Sequence, residues 1–159
     1  MIDQVEINLT VDGNFDGCPD ESWLEEVVRR VLSLVCPGNK AELGVVITGQ
    51  EKIKELNRQY LGRDRPTDVI AFHMLNGGEG DSFVQPPDGQ IHLGEVVISY
   101  PQALQQAGEE GHSAGREMAV LMVHGILHLL GYQDEEPGLK RRMRDKEHEI
   151  LTQIEDMLS

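Results

Sequence analysis

Residues 113–136, SAGREMAVLMVHGILHLLGYQDEE, predict an apolar helix that ends in a sharp turn. The helix is expected to run from about residue 113 to residue 130, and Gly131 follows where helices commonly end in the left-handed conformation. A second helix is predicted over residues 137–158, because Pro137 suits a first helical position and acidic residues precede it. Its predicted inward residues are Leu139, Met143, Ile150, Ile154 and Met157 or Leu158.

Strands and helices are both predicted in the part of the chain before this element. Apolar residues alternate or run together at 5–11, 41–48, 68–72 and 91–99, which indicates four strands. One helix is predicted after Asp20, a candidate cap, and another over residues 50–61. Their predicted apolar faces are Trp23, Val27, Val28, Val31, Leu34 and Val35 in the first, and Ile53, Leu56 and Tyr60 in the second. Residues 75–90 are expected to form a long surface loop.

These elements predict an α+β fold, with a mixed four-stranded sheet packed against helices and the strand order left open. A length of 159 residues, without an internal repeat or linker, suits a single domain over residues 1–159. No stretch approaches the roughly 20 apolar residues of a membrane-spanning helix. The N-terminus lacks the features of a secretory signal, so we expect a cytoplasmic protein in which Cys18 and Cys36 stay reduced.

The charge distribution is acidic overall and basic in two places. The formal net charge of −14 argues against broad, charge-driven binding of DNA or RNA. Ten of the fourteen Lys and Arg residues nevertheless fall within 52–65 and 140–146. Such runs are usually solvated helix faces, although they can also hold phosphates beside an active site. Composition favours solvated faces.

Residues 123–136 contain a pattern of metal-binding residue types. His124 and His128 are four positions apart, so both imidazoles project from one helix face. Asp134 lies three residues beyond Gly131 and can return as a third ligand, although capping the next helix is its alternative role. Two nitrogens and one oxygen fill three tetrahedral positions and leave the fourth open, as in catalytic zinc sites. We therefore predict one zinc ion per chain, bound by His124, His128 and Asp134, in a metal-dependent hydrolase.

The residue after the first histidine argues against one class of zinc enzyme. The spacing of the two histidines, the glycine and the carboxylate matches the metzincin proteases, which need Glu directly after the first histidine as general base. This chain has Gly125 there, and glycine cannot accept a proton. Peptide hydrolysis by that mechanism is therefore disfavoured.

Three segments together resemble the YbeY family of bacterial endoribonucleases. HGILHLLGY (124–132) resembles the family signature H-G-x-L-H-L-x-G-Y-D-H. LNRQYLGRDRPTDVIAF (56–72) and LGEVVIS (93–99) resemble two further family segments, and Arg116 with Glu117 matches an R-E pair before the histidine helix. The resemblance spans about residues 50–135 in the family's order. It implies three zinc ligands, of which the third is histidine in the family and Asp134 here, with Gln133 before it.

Two other positions depart from the family pattern. Leu61 stands where the family usually has an arginine after its tyrosine, which is thought to act at the site. One of Arg58, Arg63 and Arg65 is predicted to take over that catalytic role. His73 replaces a family proline and is expected to be exposed.

The resemblance implies a zinc-dependent, single-strand-specific endoribonuclease in 16S rRNA 3′-end maturation and ribosome quality control. The partners that it implies are single-stranded rRNA and the small ribosomal subunit, with a ribosomal protein or GTPase as a further candidate. DNA and membranes are not expected partners. The alternatives are a metal-dependent hydrolase of another small substrate and a ribosome assembly factor with a structural zinc. Glu95 and Ser99 are candidates to line the cleft, whereas His92, His112 and His148 are expected to be structural or exposed.

Overall fold

The computed structural model describes residues 5–36, 40–65, 67–73, 90–133 and 135–158. Its architecture is α+β, with a mixed four-stranded sheet, as the sequence predicts. The strands are β1 (Val5–Val11), β2 (Lys40–Thr48), β3 (Val69–His73) and β4 (Gln90–Ser99). The helices of the described residues are α1 (Glu21–Val35), α2 (Gln50–Leu61), α3 (Tyr100–Glu110), α4 (Ala114–Leu129), α5 (Pro137–Gln153) and α6 (Glu155–Leu158).

The sheet has the strand order β1-β2-β4-β3. β1 pairs parallel with β2, and β2 pairs parallel with β4, with an irregularity in register between Glu42 and Leu43. β3 pairs antiparallel with β4 and forms an edge, with Val69 opposite Ile98. The buried parallel strands are rich in Val, Ile and Leu, as strands covered by helices usually are.

Helix α4 packs against the sheet and forms the centre of the core. Met118, Met122, Ile126 and Leu127 are fully buried, and α4 contacts β3, β4, α1, α3 and α5. Its approach to β4 is close at Gly125, where an added Cβ would lie 2.7 Å from Val96 Cγ1. A side chain at position 125 therefore has no room unless the helix moves away from the sheet. The same contact leaves no space for the glutamate of a metzincin protease.

Several expectations about individual elements need correction. In α1, Leu24 and Leu32 are buried, whereas Leu34 is 39% exposed and does not belong to the apolar face. Asp20 precedes α1 as predicted, but its side chain makes no capping hydrogen bond. Tyr60 is 65% exposed and packs edge-on against Phe72 instead of entering the core.

The helical content after β4 also differs from the sequence-based expectation. Helix α3 was not predicted; Ser99 caps it by accepting a hydrogen bond from the Gln102 backbone, and Gly111 ends it with φ 75°. The last predicted helix is divided at Ile154 into α5 and α6. The predicted loop at 75–90 and the Pro37–Gly38 stop lie almost wholly outside the described residues. Within the part of the chain described here, none of the helices is both long and apolar enough to cross a membrane.

Candidate metal centre

The two histidines of α4 face each other on one side of the helix. Their imidazole rings lie with centroids 4.7 Å apart and planes at 81°. The two Nε2 atoms are 3.2 Å apart. The helical spacing of four residues produces this pairing, because side chains at i and i+4 lie one above the other.

The other nitrogen of each ring is held by the protein. Nδ1 of His128 lies 3.1 Å from the backbone oxygen of Tyr132, which can only accept a hydrogen bond. Nδ1 of His124 lies 2.5 Å from Oε2 of Glu147 on α5. Both partners are acceptors, so both Nδ1 atoms donate, and the Nε2 lone pairs are directed toward each other.

This arrangement fits a divalent metal. Two Nε2 lone pairs directed at each other repel unless a shared proton or a metal cation lies between them, and a separation of 3.2 Å admits either. With Zn–N bonds of 2.0–2.1 Å at a tetrahedral angle, two ligand nitrogens stand about 3.3 Å apart, close to the separation of the Nε2 atoms. Metal-bound histidines commonly donate their second N–H to a carboxylate or a backbone carbonyl, and His124 and His128 have one partner of each kind. Asp134, the third predicted ligand, lies outside the described residues.

Glu147 is the residue of the candidate site that the sequence alone did not indicate. It lies 23 positions beyond His124 and on a different helix, so no local spacing connects the two. Its side chain is only 19% exposed, within a helix whose residues are mostly solvated. The sequence does contain one signal for this residue, which is an acidic side chain on the inward face of the helix that follows the histidine pair.

A cleft opens beside His128. Its volume is about 310 Å³. One wall comes from the edge strand and the end of α2, and the other from the turn after α4. The described residues that line it are Leu61, Val69, Ile70, Ala71, His128, Gly131, Tyr132 and Gln133. The cleft therefore has an apolar wall on one side and polar groups with one candidate ligand on the other.

The sequence comparisons identify the family. A family model described as endoribonuclease YbeY matches residues 12–155. The chain belongs to the endoribonuclease YbeY family. The endoribonuclease YbeY of Dehalococcoides mccartyi strain CBDB1 is 43% identical, over 97% of this chain and 96% of that protein. The endoribonuclease YbeY of Geobacillus thermodenitrificans is 42% identical, over 94% and 96% of the two chains.

A solved structure supports the fold. The solution structure of TM1509 from Thermotoga maritima superposes with a TM-score of 0.55 and covers 94% of this chain and 92% of that one. Its sequence identity of 22% limits the comparison to architecture. The family model and the relatives confirm the sequence-based assignment to the YbeY family, and this structure confirms the α+β fold.

The departure from the YbeY pattern at Leu61 falls directly on the cleft, which Leu61 lines. The three candidate arginines lie elsewhere. Arg58 donates to Glu55 on its own helix at 2.6 Å. Arg63 and Arg65 are exposed in the turn after α2, whose backbone is tied to the buried Asn57. None of the three is among the described residues that line the cleft, and a catalytic role for one of them stays a prediction.

A second group of ligand-type residues occurs where α3 meets α4. Ligand atoms of Glu110, His112 and Glu117 all lie within 4.8 Å of one another. Glu117 is 4% exposed, and both of its oxygens are engaged: Oε1 with His112 Nε2 at 2.7 Å, and Oε2 with Gln106 Nε2 at 2.7 Å. This bonding satisfies a buried carboxylate without a metal, so we interpret the group as a structural link between the helices.

The remaining candidates whose side chains are described do not line the cleft. Ser99 is buried and caps α3, and neither it nor Glu95 is among the described cleft-lining residues. His92 pairs with Glu42 on the sheet, and His148 is exposed. The side chain of His73 lies outside what the structure describes.

Proposed function

We propose that this protein is a zinc-dependent, single-strand-specific endoribonuclease. The observation that carries the proposal is the His124–His128 pair, with its Nε2 atoms 3.2 Å apart at a cleft in a chain of the YbeY family. One zinc ion per chain would be held by His124, His128 and Asp134. The resemblance to the family supports a role in 16S rRNA 3′-end maturation and ribosome quality control.

Each group in the site has a distinct role in the proposed reaction. When bound, zinc supplies Lewis-acid polarisation of a phosphoryl oxygen and increases the acidity of water. Glu147 and the Tyr132 carbonyl fix which nitrogen of each imidazole carries its proton, so that Nε2 faces the metal position. The apolar wall formed by Leu61, Val69 and Ala71 limits solvent on one side. Lower local polarity strengthens each charge interaction with the phosphate.

The shape of the cleft supports a preference for unpaired RNA. A volume of about 310 Å³ is at the small end of ligand sites, which suits one nucleotide. Nucleotides in single-stranded segments can be splayed out from their neighbours, whereas those in a duplex are stacked and paired.

The acidic chain favours assisted delivery of its substrate. With a net charge of −14, long-range attraction to RNA is weak. We therefore propose that the protein acts in the cytoplasm on the small ribosomal subunit, with a ribosomal protein or GTPase presenting the RNA. DNA and membranes are not among the proposed partners.

The test is cleavage of a single-stranded fragment spanning the 3′ end of 16S rRNA. We expect cleavage by the zinc-loaded protein, loss with a chelator, and loss in His124→Ala. The control is His148→Ala, which removes an exposed histidine from α5 and should leave cleavage unchanged. Persistent cleavage by His124→Ala would remove the zinc mechanism.

The same preparations separate the alternative functions. A structural zinc predicts that His124→Ala loses thermal stability as well as activity. Hydrolysis of a small phosphodiester without cleavage of RNA would indicate a different zinc hydrolase. Metal analysis of Asp134→Ala and Asp134→His tests the third ligand, with loss of zinc expected in the first and retention in the second.

A further inference from the structure

The described walls of the cleft contain no cationic side chain. The residues that line it are apolar or neutral polar, apart from the candidate ligand His128. Leu61 occupies the position at which the YbeY pattern has an arginine. Phosphoryl transfer needs positive charge against the phosphate oxygens, and side chains of Arg or Lys commonly supply part of it. A phosphate-binding cation is therefore to be sought next to the cleft.

A second groove continues from the cleft on the other side of the 131–133 turn. Its volume is about 420 Å³. Both the groove and the cleft are lined by Gly131, Tyr132 and Gln133. An RNA strand that leaves the cleft can therefore pass over this turn into the groove. The remaining described lining residues of the groove are Leu130, Leu139 and Arg142. Arg142 is thus the one cation among the described residues that line either depression.

The surroundings of Arg142 make it available to an anion. Among the residues that the structure describes, its exposed side chain makes no ion pair, unlike Arg58, which is paired with Glu55. It lies within residues 140–146, where five basic residues accompany one acid. The local charge is therefore positive on a chain that is strongly acidic overall.

The position of Arg142 is fixed by its neighbours on α5. The next residue, Met143, is 2% exposed and packs in the main core. Glu147, five residues after Arg142, contacts His124. Helix α5, which supplies the carboxylate partner of His124, therefore also carries Arg142, so one helix links the two sites.

We propose that Arg142 is the phosphate-binding residue of this chain, which holds a backbone phosphate of single-stranded RNA beside the phosphate at the metal centre. The inference rests on the proposed function, because it takes RNA as the substrate. The planar guanidinium can donate two hydrogen bonds to one phosphate. It thereby supplies, from the opposite side of the turn, the positive charge that Leu61 does not provide.

The experiment measures binding of a fluorescent single-stranded oligoribonucleotide by anisotropy at several salt concentrations. We compare Arg142→Ala with Arg144→Ala, which removes the same charge from an exposed residue of the same helix. Arg142→Ala should weaken binding about 10- to 100-fold, the loss expected for a charged hydrogen bond. It should also lower the salt dependence, the slope of log K against log salt, by about 0.7, corresponding to one phosphate. Arg142→Lys should restore the slope with part of the affinity.

Zinc content and thermal melting of each variant separate this proposal from the proposed function. Loss of binding by Arg142→Ala at unchanged zinc content and melting temperature supports the proposal. Equal losses of RNA affinity in Arg142→Ala and Arg144→Ala would show that only the net charge of the helix matters, and would overturn the proposal. A loss confined to Arg63→Ala or Arg65→Ala would overturn it too, in favour of the turn after α2. If the wild type binds the oligoribonucleotide but never cleaves it, the proposed function fails while the binding test of Arg142 still stands.

Discussion

Replacing Glu147 by Gln tests whether the carboxylate on α5 prepares His124 for a metal. Glu147 Oε2 lies 2.5 Å from His124 Nδ1, and the two side chains are 19% and 31% exposed. Glutamine keeps the size and an acceptor oxygen but removes the negative charge. Loss of such outer partners typically lowers metal affinity 10- to 100-fold. We expect a fall of about tenfold in zinc affinity for Glu147→Gln, equivalent to about 1.4 kcal/mol, because the acceptor remains.

Glu147→Ala removes both the charge and the acceptor, and should reach the upper end of the range, about 100-fold. The assay is competition for zinc against a chromophoric chelator at fixed pH, which reports affinity without reference to activity. Glu149→Gln is the matched control. Glu149 is on the same helix and 59% exposed, with Lys146 as its partner at 3.6 Å. The control should bind zinc like the wild type.

Two results would refute the reasoning about Glu147. Zinc affinity of Glu147→Gln within twofold of the wild type would mean that the carboxylate does not orient the imidazole. Equal losses of zinc affinity in Glu147→Gln and Glu149→Gln would show that only the net charge of the protein matters. Urea unfolding of the metal-free variants guards against a third explanation, a general loss of folding.

Three further predictions concern the core and the second cluster. Gly125→Ala should lower the free energy of unfolding by about 1–3 kcal/mol in urea titration, because the added Cβ meets Val96 at 2.7 Å. An unchanged stability would show that α4 can move off the sheet. Glu117→Ala should cost about 1–3 kcal/mol by leaving His112 without its carboxylate, yet retain the zinc content of the wild type. Loss of zinc there would contradict a structural role. Burial raises the pKa of the Cys36 thiol, so alkylation at pH 7 should be slow in the folded protein and rapid in urea, as followed by mass spectrometry.

The sequence predicted those features that depend on local periodicity. The alternating or continuous apolar residues predicted the limits of β1 and β4 to within one residue. The predicted limits of α2 are the observed ones. The histidine pair followed from the four-residue spacing alone. In each case the signal lies within one element, so no knowledge of packing was needed.

Features set by packing between elements were missed. Helix α3 buries only Tyr100, Ala103 and Ala107, and the small alanines give a weak apolar pattern among polar residues. Its end signals, Ser99 and Gly111, were present in the sequence. The exposure of Leu34 depends on how α1 packs against its neighbours, and the apolar face predicted from the sequence does not determine that packing.

The site shows the same division between local and long-range information. The contact of Glu147 with His124 depends on how α5 packs against α4, which no local spacing in the sequence reveals. The position of Arg142 in the second groove depends on that packing as well. Sequence reasoning instead searched near Leu61, where the family has its arginine, and selected residues that the structure places outside the described cleft lining.

The attachment of α5 to the histidine helix has a thermodynamic consequence. If the protein binds zinc as proposed and Glu147 strengthens that binding, reciprocity requires bound zinc to hold α5 against the protein with the same additional free energy. Transient detachment of the C-terminal segment would then be rarer in the metal-loaded protein. Amide hydrogen exchange in α5 should slow on addition of zinc, while exchange in β1, remote from the histidines, stays constant. Removal of the metal would then loosen the helix that also carries Arg142, the proposed phosphate-binding residue.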